Sequence, residues 1–346
     1  MANRIMVGIS VYNDWEHLDM LLQSIRWYTY QEEEEFDLVV CDDGTRSYGS
    51  TVDEATGVLC YTPERVALAD KIKDTAQKYG AVYLEHPTNQ GIPATWNHLT
   101  NALGGESEIV VLLNNDLLMP PNWLEVAVHF LDANKNNPHV GSCYWNPVNR
   151  VQKDMMRAML PLLGHTTFTA TDQVSGKELS FNAQSHTEVR IGEGQGLGRV
   201  MCPCGCCFAF RRDVWNQVGC FDESLVSFHE ESMWGTRCAA AGRASFGFAY
   251  PRPYHAHGYT FGISPELRSD ERMRNSRRMY RKQWNVPDNI PDHKYFEYVH
   301  EKFMSLIPRV RLKYLRPDYT RPSEIRTLPG GEVVKLPQLV EYEEEF

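Results

Sequence analysis

The sequence predicts an α/β protein built on an open, mainly parallel sheet flanked by helices. Three observations lead there. Over roughly the first 115 residues, apolar strand-like runs alternate with stretches of helical periodicity. The runs, above all Ile109-Val-Val-Leu-Leu113, are apolar without alternation, as strands covered on both faces are. Three of them stop at oxygen-bearing side chains: Ser10 to Asn13, Asp42-Asp43, and Asn114-Asn115-Asp116. In open α/β sheets, ligands bind just beyond the carboxyl ends of the strands.

Taken in order, Ile5 to Val11 reads as a buried strand, followed by Asp14 as a helix N-cap. Leu18, Leu21, Leu22 and Ile25 then recur at helical spacing. Phe36 to Cys41 gives a second strand, and residues 46–62 read as a loop. Pro63 opens a helix to about Tyr79, and Ala81 to Leu84 is a short third strand. Ile92 to Leu103 is helical and precedes the Ile109 strand. Asn122 to Asn134 is a helix and Val140 to Tyr144 a strand.

From Asn146 to Val200 the pattern loosens into Gly, Thr, Ser, Gln and His. Its Gly192-Glu-Gly-Gln-Gly-Leu-Gly198 has neither a strand before it nor a helix after it, so it reads as a loop rather than a dinucleotide fingerprint. Cys202 to Phe210 reads as a buried strand. Helices follow at Arg211 to Gly219 and from Glu230 to about Ala241, then a strand at Phe246 to Tyr250. Pro265 to Trp284 reads as a long basic helix and His293 to Leu306 as another. The last 40 residues, with five prolines and an acidic end, read as a tail packed along the body. The expected organisation is a domain over 1–262 and a basic helical carboxyl-terminal extension over 263–346. Within the domain, 1–120 and 121–262 are two halves, the second with an insert at 146–200.

The 346 residues are 42% hydrophobic, enough for a large core. No run of about 18 apolar residues occurs, so no membrane span is expected. The first residues run straight into a strand without a signal-peptide pattern, and the expectation is an intracellular, cytoplasmic protein. Nine cysteines in a chain this long do not suggest a disulfide scaffold. Four crowd into Cys202-Pro-Cys-Gly-Cys-Cys207, where alternation and the following Phe-Ala-Phe fit a core strand better than a zinc site, which wants two separated ligand pairs. The net charge of −10 is uneven: residues 265–326 carry +6 and the remainder −16. That basic segment suggests an anionic ligand met locally, or a solvated helix paired with the acidic body.

The strand-end acids have a direct chemical reading. An acidic group beside side-chain amides, as at Asn114-Asn115-Asp116, suits a hard divalent cation. An Asn/Asp turn before a proline-capped helix fits the same residues. Glu230-Glu231, read from the residues alone, suit a helix amino terminus that favours acids through its dipole.

The order of these motifs resembles the family 2 glycosyltransferases of the GT-A fold, over roughly residues 4–262. The residues that carry it are Val7 to Asn13, Val39 to Thr45, Asn89-Gln-Gly91 with Asn97, Leu113 to Asp116, Phe208 to Arg212, Gly219 to Glu223, Glu230-Glu231 and His257. The resemblance implies a nucleotide-sugar donor (UDP-, GDP- or dTDP-linked) lined by Ser10, Tyr12, Asn13, Asp42, Asp43, Gly91, Asn97, Asn114 and Asn115. It implies Mn²⁺ or Mg²⁺ on Asp116 and His257, with His255 the alternative to His257. It also implies an inverting transfer to an acceptor hydroxyl with Glu231 as base, or Glu230 in its stead. Asn114 replaces the first acid of the family's D-x-D, and Glu231 an Asp, each a departure from the pattern. Two rivals remain at this level: the same chemistry on hydroxyl-modified DNA bases docked by the basic segment, and a non-catalytic carbohydrate- or nucleotide-binding relative.

Overall fold

A computed structural model describes residues 4–29, 36–53, 59–149, 151–160, 163, 167–171, 178–182, 196–225, 228–256, 270–327, 331 and 333–346. Strands β1 (Ile5–Val11), β2 (Phe36–Asp42) and β3 (Val82–Glu85) alternate with helices α1 (Trp15–Tyr28) and α2 (Pro63–Lys78). Helix α3 (Ile92–Asn101), strand β4 (Ile109–Asn114), the two-residue β5 (Leu117–Leu118) and α4 (Trp123–Ala133) follow. Next come β6 (Val140–Trp145), β7 (Val148–Asn149), α5 (Lys153–Met159) and a hairpin of β8 (Thr167–Thr171) and β9 (Glu178–Asn182). Strands β10 (Leu197–Val200) and β11 (Cys207–Arg211) lead to α6 (Arg212–Val218) and α7 (Glu230–Ala240). The last elements are β12 (Ala244–Phe248), β13 (Tyr254–His255), α8 (Asp270–Gln283), α9 (Tyr295–Met304), β14 (Arg311–Thr327) and β15 (Val333–Glu345).

The main sheet has the order β10-β12-β6-β11-β4-β1-β2-β3. The neighbours β3, β2, β1 and β4 all run parallel, while β11 is antiparallel to both β4 and β6. The expected mainly parallel sheet flanked by helices is therefore the architecture found. Ile109 to Leu113 are each fully buried. At about 1.5–3 kcal/mol per large apolar side chain, this strand alone ranks among the chief stabilising features.

The helices obey the cues in the sequence. Asp14 caps α1 by accepting from the His17 N–H, and Leu18, Leu21, Leu22 and Ile25 face the core. Thr62 caps α2 ahead of Pro63. Tyr280 and Trp284 of the basic region pack into the core beside Val299, Met304, Leu312 and Tyr314. No helix among the described residues is long and apolar enough to cross a membrane.

Two expectations are corrected. The end of the chain, expected as a tail packed along the body, does pack there, but as a long antiparallel hairpin of β14 and β15. Prolines 317, 322 and 337 misled the reading, yet they sit within or beside irregularities of a two-stranded ribbon, where a missing N–H is tolerated. Asn134 secures the hairpin with a side-chain amide that both donates to the Lys313 carbonyl (2.7 Å) and accepts from its N–H (3.1 Å). The second correction concerns 146–200, which is not structureless throughout. Leu197 and Gly198, read as the end of a loop, lie in β10 at the sheet edge, paired with Phe248 and Gly247. That strand's glycine and arginine, with only one covered side, hide its period.

Candidate active site

The carboxyl end of β4 is fixed from two sides. The Asn114 N–H donates to the Cys206 carbonyl (2.8 Å), extending the β4–β11 ladder by one residue. The Asn115 amide donates to the Asp14 carbonyl (3.2 Å), tying this turn to the cap of α1. Asp116 is 5% exposed, and its carbonyl accepts from the Ala256 N–H (3.0 Å). Strands β5 and β13 pair antiparallel with Leu117 opposite His255, a register that carries the His255 ring onto Asp116. Its Nε2 lies 3.2 Å from the Asp116 carboxylate, and its Nδ1 lies 2.8 Å from the Asn149 side-chain oxygen. Burial alone would raise the Asp116 carboxyl, but the charge and hydrogen bond of His255, with His17 nearby, hold it below the usual carboxylate range. Asp116 is therefore ionised at neutral pH.

The paired acids open α7. Phe228 and His229 both take positive φ (68°), turning the chain sharply so that Glu230 and Glu231 occupy the first helical turn. His229 is held by the Tyr295 hydroxyl at 3.0 Å, and Thr236 by the Tyr280 hydroxyl at 2.8 Å, so α8 and α9 brace this helix. Burial, then the nearby Arg277, pushes the His229 imidazole down to about 4. Burial and the adjacent Glu231 raise Glu230; burial raises Glu231 as well. One oxygen of Glu230 is buried with no hydrogen-bond partner among the described residues.

Between the two acidic sites runs the cysteine-rich turn. A Cβ on Gly205 would stand 3.2 Å from the Glu231 carboxyl carbon and 3.3 Å from one of its oxygens. The next residue, Cys206, accepts the Asn114 N–H on its carbonyl (2.8 Å), two positions before Asp116. Asp116 and Glu231, 115 positions apart in sequence, thus flank one turn. The small residues of that turn allow them to approach it closely.

At the end of β2 the two acids are committed internally. Asp42 accepts from the Thr45 N–H (3.0 Å) and hydroxyl (2.6 Å) and from the Tyr83 hydroxyl (3.2 Å). Burial raises it to about 6 against these bonds. Asp43 accepts from Asn89, Gln90 N–H and Gly91 N–H at 2.8–2.9 Å, and pairs with His86 Nδ1 at 2.9 Å. Gly44, at φ 82°, lets this hub close: a Cβ there would fall 2.4 Å from the Thr88 backbone. Asn97 is likewise occupied, exchanging hydrogen bonds with the Phe221 backbone and donating to Glu223. These three residues shape the loop walls, and their polar atoms point into the protein.

Ser10 lies buried on β1 beside β4, paired with Asn114, its hydroxyl 3.4 Å from the Leu113 carbonyl. Tyr12 stacks edge-on with Tyr48. Asn13, at φ 60°, donates its N–H to Thr45 and accepts from the Arg65 guanidinium, which lies 4.1 Å over the Tyr48 ring. Gly91 is the N-cap of α3. His257 lies outside the described residues. His255, the expected alternative to His257, is the histidine that meets Asp116, whereas Tyr48, Arg65 and the Asn149 partner have no counterpart among the expected site residues. Tyr48 and Arg65 sit in or after a loop without period, and the Asn149 contact is set by pairing between distant two-residue strands.

The basic helix turns its charge inward in part. Arg277 (2.9 Å) and Arg281 (3.4 Å) bind the Asp292 carboxylate, and Arg281 also donates to the Pro287 and Ile290 carbonyls. This agrees with the reading of a helix paired to nearby acid and does not favour a DNA-docking surface.

Residues 60–219 match the family model Glycosyl transferase family 2. No curated protein matches the sequence. Among solved structures, the mannosyltransferase PcManGT from Pyrobaculum calidifontis, in complex with GDP-Man and Mn²⁺, matches with a TM-score of 0.46 and 14% identity, over 86% of this chain and 74% of its own. TarS 1–349 from S. aureus matches with a TM-score of 0.44 and 13% identity, over 88% of this chain and 83% of its own. GalNAc-T7, with UDP, GalNAc and Mn²⁺, matches with a TM-score of 0.47 and 13% identity, over 87% of this chain and 55% of its own. The motif order in the sequence agrees with the match of residues 60–219 to the glycosyl transferase family 2 model.

Proposed function

We propose that the protein transfers a sugar from a nucleoside-diphosphate donor to an acceptor hydroxyl, with inversion, in the space between Asp116 and Glu231. The observation that carries this reading is the shared turn: Gly205 lies against Glu231, and the Cys206 carbonyl accepts from Asn114, two positions before Asp116. On the donor side, Tyr12, Asn13, Tyr48 and Arg65 offer aromatic faces and a cation to a base and phosphates.

A Mn²⁺ or Mg²⁺ ion fits the residues at the end of β4. Asp116 is a buried carboxylate, and the neighbouring Asn114 side-chain oxygen is buried without a hydrogen-bond partner among the described residues. Asp116 and Asn114 would hold the ion with His255. His257, implied by the family resemblance, remains part of the proposed set. Bound there, such an ion supplies Lewis-acid stabilisation of the charge growing on the leaving diphosphate. Asn149 accepts the Nδ1–H of His255, so the Nε2 proton facing Asp116 is the one an ion there would displace.

Glu231 takes the proton of the acceptor hydroxyl as that oxygen attacks the anomeric carbon. Glu230, raised by burial and by the adjacent Glu231, holds the proton that the pair retains. Direct displacement by a single base inverts the anomeric centre. A panel of UDP-, GDP- and dTDP-sugars, scanned for thermal stabilisation with and without Mn²⁺, tests the reading. A metal-dependent shift with one donor, followed by its turnover, is the expected result. No shift with any donor, together with unchanged hydrolysis in Glu231→Gln, would refute it.

A further inference from the structure

A second group of ligating atoms lies behind the hub at the end of β2. Cys41 on β2, His86 after β3 and His98 on α3 bring one sulfur and two ring nitrogens within 4.8 Å of one another. The Cys41 sulfur is 3.9 Å from both His86 Nε2 and His98 Nδ1, and those nitrogens are 2.9 Å apart. The rings stack nearly parallel, 7° apart, with centroids separated by 5.0 Å. We propose that Cys41, His86 and His98 form a binding site for a zinc-class divalent cation, with Asp43 as the carboxylate that orients His86.

Geometry and donor chemistry carry this together. For bonds of about 2.0–2.1 Å to nitrogen and 2.3 Å to sulfur, tetrahedral coordination sets ligand separations near ~3.3 Å (N to N) and ~3.6 Å (S to N). The triangle here departs from these by about 0.4 Å (N to N) and about 0.3 Å (S to N). Three side chains from three elements reach this arrangement, and His98 is exposed, leaving a fourth position open to solvent. His86 directs Nδ1 at the Asp43 carboxylate at 2.9 Å, the outer-shell partner that metal-bound histidines commonly have. Sulfur and imidazole ligands sort this site from the oxygen-rich Asp116 site, which suits a harder ion.

The protons balance simply. Without a cation, His86 uses its Nδ1–H on Asp43, so its Nε2 accepts from the His98 Nδ1–H. On binding, that His98 proton leaves Nδ1 as the ring becomes the Nε2–H tautomer facing water, and the Cys41 thiol proton passes to solvent. The ion would join β2, the 86–91 loop and α3 at a single point. Because Asp43 also receives the Gln90 and Gly91 amides, occupancy would stiffen the entrance to α3.

The test uses the full chain, purified reduced and stripped with a chelator, then titrated with ZnCl₂ or CoCl₂. Cobalt reports thiolate ligation by a near-ultraviolet charge-transfer band. The expected result is one equivalent of zinc, with a cobalt band that survives in Cys204→Ser and Asp116→Asn but is lost in Cys41→Ser. His98→Ala, exposed and therefore harmless to folding, should weaken zinc by at least the roughly 10–100-fold seen on losing even an outer-shell partner. Zinc binding as tight in His98→Ala as in the unaltered protein would overturn the proposal. So would a band that disappears only in Cys204→Ser, or no stoichiometric zinc at all.

Discussion

His255 Nε2 lies 3.2 Å from the Asp116 carboxylate although 139 positions separate the two residues. The contact exists because Leu117 pairs with His255 across two short strands, while Asn149 holds the far side of the ring at 2.8 Å. Replacing Asn149 by Ala should therefore weaken Mn²⁺ by about 10–100-fold without touching the ion directly. A Mn²⁺ titration of activity checks this: the midpoint moves to higher concentration, and saturating Mn²⁺ restores most of kcat. Asp116→Ala, in contrast, should not be rescued.

Glu231→Gln should lower kcat by about 10²–10⁴-fold with little change in donor KM, since it removes proton acceptance and leaves the donor site intact. Glu230→Gln should cost less. Comparing the two variants in single-turnover assays assigns the base.

Gly205→Ala probes the same carboxylate from the opposite side. Its methyl would press on Glu231 at 3.2–3.3 Å, tighter than ordinary contact. A shift of the base by a few tenths of an ångström should reduce kcat by roughly 10-fold, given that misplacement by 1 Å can cost about 10²-fold. Melting curves should change little, which separates displacement from unfolding.

The acid pair also fixes a pH signature. Burial, and for Glu230 the neighbouring Glu231, raises these carboxyls above the ordinary value of 4.5. The base form thus appears only above the usual carboxylate range, and kcat/KM should rise with pH through the pair's raised apparent value. For stability the sign is opposite. Below pH 4.5 both folded and unfolded chains hold the protons, and no cost exists. Between 4.5 and the raised value the folded state binds more protons than the unfolded, so stability falls as pH increases and stays lowered above. Glu230→Gln should therefore gain melting temperature over the unaltered protein at pH 8, and lose that advantage at pH 4.

Gly44 offers a stability test away from the acids. At φ 82°, with the Thr88 backbone 2.4 Å from a would-be Cβ, Gly44→Ala combines left-handed strain with overpacking. A loss of roughly 2–4 kcal/mol is expected, read from urea unfolding.

Much of this was legible in the residues themselves. Uninterrupted apolar runs such as Ile109 to Leu113 named the parallel strands, and Asp14 and Pro63 announced their helices through local chemistry. The placement of Asn114-Asn115-Asp116 at a strand end followed from the same pattern. What resisted reading is non-local. Asp42 and Asp43 looked available because sequence cannot display the Thr45, Tyr83 and Gly91 partners that engage them. His255 found Asp116 through strands of two residues, too short to leave any period. The hairpin over 311–345 was masked by its prolines, which a ribbon tolerates and a central strand would not.

The cysteine-rich turn has one more property, which concerns durability rather than catalysis. Thiols become reactive where positive charge stabilises the thiolate. Cys202, Cys204, Cys206 and Cys207 instead lie buried or half-buried near carboxylates, and their acidity is suppressed. Burial and the contacts among the thiols, with a smaller contribution from the carboxylates, keep these four sulfurs protonated and so slow to alkylation and oxidation.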